Sequence, residues 1–335
     1  MDLGIESLSK RTVPYLVAEV GVNHEGSLEK AKELAGLAKQ SGADAVKFQT
    51  FIPSRYVSSD YKERFERVSR FALSYEDFRD LKVYCDYLEI VFFSTPLAPM
   101  DVEFLNPLVP FFKISSGDLT NSELIGSVAK TQKPLILSTG FGSVSEIFNS
   151  LEDYSVASNG KSVSVLMHTV PAYPTSPERA NLRNISGFSN IFRTPIGYSD
   201  HTIGIEAALM AHALGAKVIE KHFTDFRLGR SFRDHSLSAE PSEFAQLKER
   251  ILEQELLLGS ADRQPSEDDK SAAKEFRRSL SVARDFQAGE IINSTDLIPV
   301  RPGIGMPVEA TPYVLGRKLK YTKSKGSILY IEDFE

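Results

Sequence analysis

The sequence predicts an α/β chain: a (β/α)8 TIM barrel followed by a small β-rich domain. Three observations carry that prediction. Eight short apolar runs recur over residues 1–260, each followed by a stretch of helical periodicity, a count and length that suit an eightfold barrel. The runs show little polar alternation, as parallel strands buried on both faces do. Past residue 276 the rhythm changes to short extended runs broken by Gly- and Pro-containing turns. A doubly wound sheet is the alternative, but no Gly-x-Gly-x-x-Gly follows the first run.

The strand runs are 15–20, 45–48, 90–94, 111–115, 135–138, 163–168, 196–199 and 218–222. Helices are expected near 28–40, 75–87, 99–106, 121–130, 143–155, 203–214 and 242–258, with a weaker candidate at 177–190. The first helix is plainest, because Leu28, Ala31, Leu34, Ala35 and Ala38 recur at helical spacing and Gly42 supplies a stop. Residues 261–276 are polar and charged, the composition of a linker. The division is therefore a barrel over 1–260, a linker over 261–276 and a second domain over 277–335. That domain holds extended runs at 279–283, 291–292, 298–300 and 328–331. Its size is near the lower limit for folding alone, so it is expected to pack on another surface, its own barrel or a partner's.

Composition excludes several function classes. Asp and Glu number 45 against 39 Lys and Arg, a formal net charge of −6, which argues against a nucleic-acid or membrane-surface protein. No run approaches the length of a membrane span. Cys85 is the only cysteine, so neither an internal disulfide nor a thiolate metal cluster can form. The start, Met-Asp-Leu-Gly-Ile-Glu-Ser, lacks the basic-then-apolar order of a secretory signal. A cytoplasmic location is the expectation.

The chemistry gathers at strand ends. His201 in Gly-Tyr-Ser-Asp-His-Thr (197–202) and His222 in Val-Ile-Glu-Lys-His-Phe (218–223) each follow an apolar run, with one helix between them. They therefore leave the carboxyl ends of successive strands, which share one mouth in a parallel barrel. Imidazole is a common metal ligand; spacing alone leaves open a metal pair or two hydrogen-bonded strand-end histidines. Glu19 ends the first run, ahead of Gly-Val-Asn-His-Glu-Gly. Lys47 and Lys113 are embedded in apolar runs, where an unpaired ammonium is costly. Inside a barrel each needs an anion, and phosphate or carboxylate is a natural one. Ser115, Ser116 and the Gly117 amide would complete such a cradle. Glu220, Asp200 and Asp234 are carboxylates near the histidines, suited to orienting water or moving protons. His212, mid-helix, reads as packing, and His24 as either structure or substrate contact.

These motifs resemble the sialic acid synthase family. Ala-Glu-Val-Gly-Val-Asn-His-Glu-Gly (18–26) and Gly-Ala-Asp-Ala-Val-Lys-Phe-Gln-Thr-Phe (42–51) are similar to its N-terminal signature. Lys-Ile-Ser-Ser-Gly-Asp-Leu-Thr-Asn (113–121), Lys-Pro-Leu-Ile-Leu-Ser-Thr-Gly (133–140), Tyr-Pro-Thr (173–175) and both histidine motifs continue the likeness in order. Arg-Arg-Ser-Leu (277–280) through Arg-Pro-Gly-Ile-Gly (301–305) resembles the family's antifreeze-like (SAF) domain. The resemblance implies condensation of phosphoenolpyruvate with an N-acylated aldose such as N-acetylmannosamine, giving a nonulosonic acid and phosphate. It implies Mn²⁺ or Mg²⁺ on His201 and His222, and phosphoenolpyruvate held by Lys47, Lys113, Ser116 and Ser199. Glu19, Tyr173, Glu220 and Asp234 would surround the sugar, with Glu19 or Asp234 moving protons. Arg301 would reach the N-acyl group from the second subunit of a domain-swapped homodimer.

Three departures bear on the substrate. Pro171 stands where the family usually has Ser or Asn, Leu97 replaces an aromatic, and the loop 226–235, with Arg230 and Arg233, is unusually basic. The loop arginines are candidates for selecting a phosphorylated sugar. A legionaminic, pseudaminic or spore-coat-type precursor is an alternative acceptor. The alternative enzyme is another phosphoenolpyruvate-using keto-acid synthase or a pyruvate aldolase with a Schiff-base lysine, and a non-catalytic sugar-binding relative is the alternative of another class.

Overall fold

The computed structural model describes residues 7–8, 10–161, 163–230 and 234–335. The chain divides into two units, Met1–Gly259 and Ser260–Glu335. The first holds eight parallel strands: β1 Tyr15–Gly21, β2 Ala45–Thr50, β3 Val91–Pro96, β4 Phe112–Ile114, β5 Leu135–Ser138, β6 Val165–Thr169, β7 Ile196–Asp200 and β8 Val218–His222. They follow one another in the sheet, and β8 pairs with β1 in parallel, Glu19 opposite His222. β3 and β4 adjoin without forming a ladder, since β4 is only three residues long, so the barrel is nearly closed.

The strands are buried almost throughout, which is why their runs lack alternation. Helices cover the outside, and their starts are written in the sequence. Ser27 caps Leu28–Gln40, while Ser74 with Asp77 and Ser143 with Glu146 form capping boxes for Tyr75–Tyr87 and Val144–Ala157. Leu28–Gln40 buries Ala31, Leu34, Ala35 and Ala38, the residues that define its apolar stripe. Of the weak candidate at 177–190, Arg183–Ile191 is helical.

Two short helices escape the sequence reading, Pro53–Tyr56 and Lys62–Ser69, in the long connection after β2. Neither buries a residue, so hydrophobic periodicity has nothing to mark. Their end is seated on the loop after β1. Gly26 has a φ of +83°, and a Cβ there would meet the Arg70 carbonyl oxygen at 2.3 Å, so only glycine permits that approach.

Within the stretch read as a linker, Glu267–Phe276 is a helix with Ser266 and Asp269 as its capping box. It too buries nothing, so its composition is that of a solvated linker; its acidic first turn and Lys274 in the last suit the helix dipole. In the second unit β9 Ser279–Val282 pairs antiparallel with β10 Leu297–Val300. Ile291 and Ile328 make single bridges, to Lys318 and Ser281, rather than strands. The unit has its own small core of Leu280, Val282, Phe286, Ile292, Val314, Leu319, Leu329 and Phe334. Among the described residues no helix is long and apolar enough to cross a membrane.

Candidate active site at the barrel mouth

Strand parity sorts the chemistry. Successive side chains of a strand point to opposite faces, so Glu19, Lys47, Lys113, Ser199 and Glu220 face inward and line a cavity of about 670 Å³. His201 and His222, each two residues past an inward group, line it too. The residues between them face outward. Asp200 pairs with Lys221 at 2.9 Å, both fully buried, and accepts from the Thr202 amide and hydroxyl and the Tyr198 hydroxyl. Asp200 is therefore a shell residue and not one of the site's carboxylates.

The inner ring is charge-paired. Lys47 Nζ is 2.8 Å from Glu19 Oε2 and 3.6 Å from Glu220 Oε1, and Lys113 Nζ is 3.5 Å from Glu220 Oε2. Gln49 Nε2 donates to Glu19 at 3.2 Å, and Ser199 Oγ donates to Glu220 at 3.1 Å. Burial pushes the Glu19 carboxyl up to about 7, against the pull of Lys47 and with the help of Glu220. Burial opposes charge on Glu220 as well, but Lys113 and Lys47 outweigh it and hold that carboxyl below its usual range. Burial also lowers the Lys113 ammonium. For Lys47 burial is outweighed by Glu19 and Glu220, and its pKa is raised. The two carboxylates thus hold opposite proton affinities in one ring, the division of labour that acid–base chemistry needs.

The imidazoles form a pair. Their ring centroids are 5.3 Å apart, and Tyr173 stacks on His201 at 4.1 Å while meeting His222 edge-on at 5.7 Å. His201 Nδ1 donates to the Val170 carbonyl at 2.8 Å, which leaves Nε2 its lone pair. His222 Nδ1 is buried without a hydrogen-bond partner. Burial lowers His201 to about 4 and takes His222 well below its ordinary value. Both are thus neutral near pH 7, the form in which imidazole ligates. Among the described residues no group of three or more His, Cys, Asp or Glu is set to hold an ion. Two neutral imidazoles, one with an orphaned nitrogen, fit a divalent cation whose other positions stay open to water or substrate.

Ser116, Tyr173 and Asp234 also line the cavity, so all ten barrel residues expected at the site meet there. Ser116 Oγ accepts from the Gly140 amide at 3.1 Å, whereas Ser115 Oγ is turned to Asp118. Arg301 lies in the second unit, where its Nε donates to the Phe276 carbonyl at 2.9 Å. Pro171 and Leu97 line the cavity, and His24, buried beside Phe48, does not. His212 packs near Glu255 at 3.6 Å. Arg230 is held by Glu25 at 2.7 Å and Asp225 at 2.8 Å, and Arg233 is outside the described residues. Sequence reasoning missed Gln49, Thr95, Ser138 and Thr169 on the inner wall, and Tyr56, Tyr61, Arg64 and Arg67 on the outer. Ser138 Oγ is buried and unpartnered. Inward parity with Lys47 is the signal that would have found Gln49.

Comparison with known proteins places this architecture. Residues 34–263 match the model of the NeuB family and residues 277–335 that of the SAF domain. The N,N'-diacetyllegionaminic acid synthase of Legionella pneumophila is 35% identical over 99% of this chain and 98% of its own. The N-acetylneuraminate-9-phosphate synthase of Homo sapiens is 32% identical over 95% of this chain and 92% of its own. Among solved structures, the N-acetylneuraminic acid synthetase of Leptospira borgpetersenii, in complex with citrate, superposes with a TM-score of 0.73 at 33% identity, covering 78% of this chain and 90% of that one. With the NeuB family model matched over most of the barrel, the SAF domain matched after it and relatives above 30% identity over nearly the whole chain, this chain belongs to the NeuB family.

Proposed function

We propose that the chain condenses phosphoenolpyruvate with the open-chain aldehyde of an acylamino sugar, giving a nonulosonic acid and phosphate. The observation that carries the proposal is the buried ring of Lys47, Lys113, Glu19 and Glu220 beside the His201–His222 pair in one cavity. The methylene carbon of the enol phosphate bonds to the aldehyde carbon as the aldehyde oxygen takes up a proton. Water adds at the phosphate-bearing carbon and gives up a proton. That carbon's bond to the phosphate oxygen then breaks, releasing phosphate and, with loss of the hydroxyl proton, leaving a ketone.

Lys47 and Lys113 offset the carboxylate and phosphate of phosphoenolpyruvate, with the Ser116, Ser138 and Ser199 hydroxyls as hydrogen-bond partners. Glu19 supplies the proton that the aldehyde oxygen gains, and Gln49 fixes its carboxyl orientation. Glu220 stays ionised between the two ammonium groups and bridges them, one carboxylate oxygen to each. Asp234 and Tyr173 flank the sugar. Mn²⁺ or Mg²⁺ on His201 and His222 would supply Lewis acidity toward the aldehyde oxygen. Arg301 from a second subunit would meet the N-acyl group, and a single-chain particle mass would end that part of the proposal.

The test is phosphate release from phosphoenolpyruvate across a panel of acylamino sugars, with and without Mn²⁺, and mass spectrometry of products. Release that requires both sugar and metal, with a new 2-keto acid, supports the condensation; none from folded protein overturns it. The lowered ammonium pKa of Lys113 is the one observation favouring a pyruvate aldolase. Borohydride with pyruvate is expected to trap nothing on Lys113, and a trapped adduct would reverse the choice.

A further inference from the structure

Asp234 lines the cavity but belongs to no strand. It lies in the excursion that leaves β8 at His222 and returns at Ala239. The Ala239 amide donates to the His222 carbonyl at 2.7 Å, and the Thr224 amide to the Ala239 carbonyl at 3.0 Å, which closes the base of that excursion. A side chain on such a connection is placed only as well as its neighbours are held. The loop after β1 holds them. Asn23 Nδ2 donates to the Phe223 carbonyl at 2.9 Å and to Ser238 Oγ at 3.0 Å, and Ser238 Oγ donates to the Asp234 carbonyl at 2.5 Å.

A second grip falls on the residue next to Asp234. His235 is fully buried, with Nε2 3.1 Å from Glu25 Oε1 and Nδ1 2.7 Å from the Thr224 hydroxyl. A carboxylate only accepts, so Nε2 carries a ring proton, and both edges of the imidazole are fixed. The same Glu25 oxygen accepts from Arg230 Nη1 at 2.7 Å, while Arg230 Nη2 donates to Asp225 at 2.8 Å. Arg230 thus braces Glu25. Glu25 keeps this post at a backbone cost. Its φ is +51°, in the left-handed region that glycine adopts freely and other residues rarely do. A glycine would relax the turn but leave His235 and Arg230 without this acceptor.

We infer that Glu25 is a positioning residue: acting through His235, with Arg230 as its brace, it sets the Asp234 carboxylate toward the acceptor sugar. The inference rests on the proposed condensation, and it assigns Arg230 to the architecture of the loop rather than to the substrate. Its test uses E25G, E25Q and D234N in the full chain with Mn²⁺. E25G removes the clamp and relaxes the backbone. Its kcat/KM for the acylamino sugar should fall about 10–100-fold, the scale of a misplaced group. The melting temperature and the KM for phosphoenolpyruvate should stay in place. E25Q keeps a carbonyl acceptor and should retain most of the wild-type rate. E25G/D234N should be no slower than D234N alone, because the carboxylate that the clamp places is gone.

An unchanged kcat/KM in E25G would overturn the inference, and so would losses that add in E25G/D234N or a KM for phosphoenolpyruvate that rises in step. If wild type turns over no acylamino sugar, the condensation itself fails, and hydrogen exchange then decides whether Glu25 places this loop. The Ser238 amide donates to the His235 carbonyl at 3.1 Å. Faster exchange of that amide in E25G, restored in E25Q, sustains the inference; exchange that E25G leaves at the wild-type rate refutes it.

Discussion

Lys113 is the residue whose loss discriminates most sharply between a binding ring and an inert one. Lys113→Gln removes one of the two cations facing Glu220 while keeping a polar side chain of similar reach. A loss of about 10²–10³ in kcat is expected, the range for deleting one preorganised charge-stabilising donor. Steady-state phosphate release checks it, with circular dichroism to establish the fold. Asp225 gives a pH-dependent companion. Burial disfavours its charge, yet the Lys30 ammonium, the Phe226 amide and the Thr224 hydroxyl prevail and hold it down at about 2. A depressed carboxyl stabilises the fold above its unfolded pKa and loses that effect as it protonates, so the Asp225→Asn penalty should be full near neutrality and fade between about pH 4 and pH 2. Urea melts across that window measure it. At this scale the sequence was informative wherever a residue violates its surroundings. An ammonium in an apolar strand demands an anion, so Lys47 and Lys113 were legible. Gln49 violates nothing, and Arg64 and Arg67 sit on a helix that buries nothing, so no such signal marked them.

Strands and helices differ in how openly they declared themselves. β5 and β8 and the helices Leu28–Gln40 and Tyr75–Tyr87 occur where their apolar patterns put them, because each buries the stripe that defines it. Glu267–Phe276 was hidden for the opposite reason: capping and dipole terms sustain it, and no core contact prints a period. Parity along β7 was the subtler loss, since Asp200 beside His201 looks like a ligand until the pleat sends it outward. The Asp200–Lys221 pair ties β7 to β8 from behind the site. Lys221→Met should cost about 3–5 kcal/mol by stranding the Asp200 carboxylate, seen as a fall in the denaturant midpoint. Asp200→Asn in the same chain should recover part of that loss, because the stranded charge is gone.

At the level of the molecule, two units with separate cores predict separable behaviour. The barrel has a contiguous core of its own, whereas the second unit relies on eight buried residues and exposes Phe276, Tyr313 and Ile331. A chain ending at Gly259 should keep a cooperative melt and the far-ultraviolet signature of an α/β barrel. It should lose condensation activity in proportion to what Arg301 contributes; retention of full activity would remove the second unit from the reaction.

The in–out–in order Ser199-Asp200-His201 and Glu220-Lys221-His222 carries a consequence for how such a chain can change over time. A single-residue insertion or deletion in β7 or β8 would exchange the two faces, sending Lys221 into the reaction chamber and His222 into the packing shell. Those strands are therefore frozen in length, whereas the connection after β2 can lengthen, shorten or change charge without disturbing them. New acceptors are to be sought by rewriting that connection, and a library confined to it should diversify specificity while leaving the carbon–carbon bond chemistry intact.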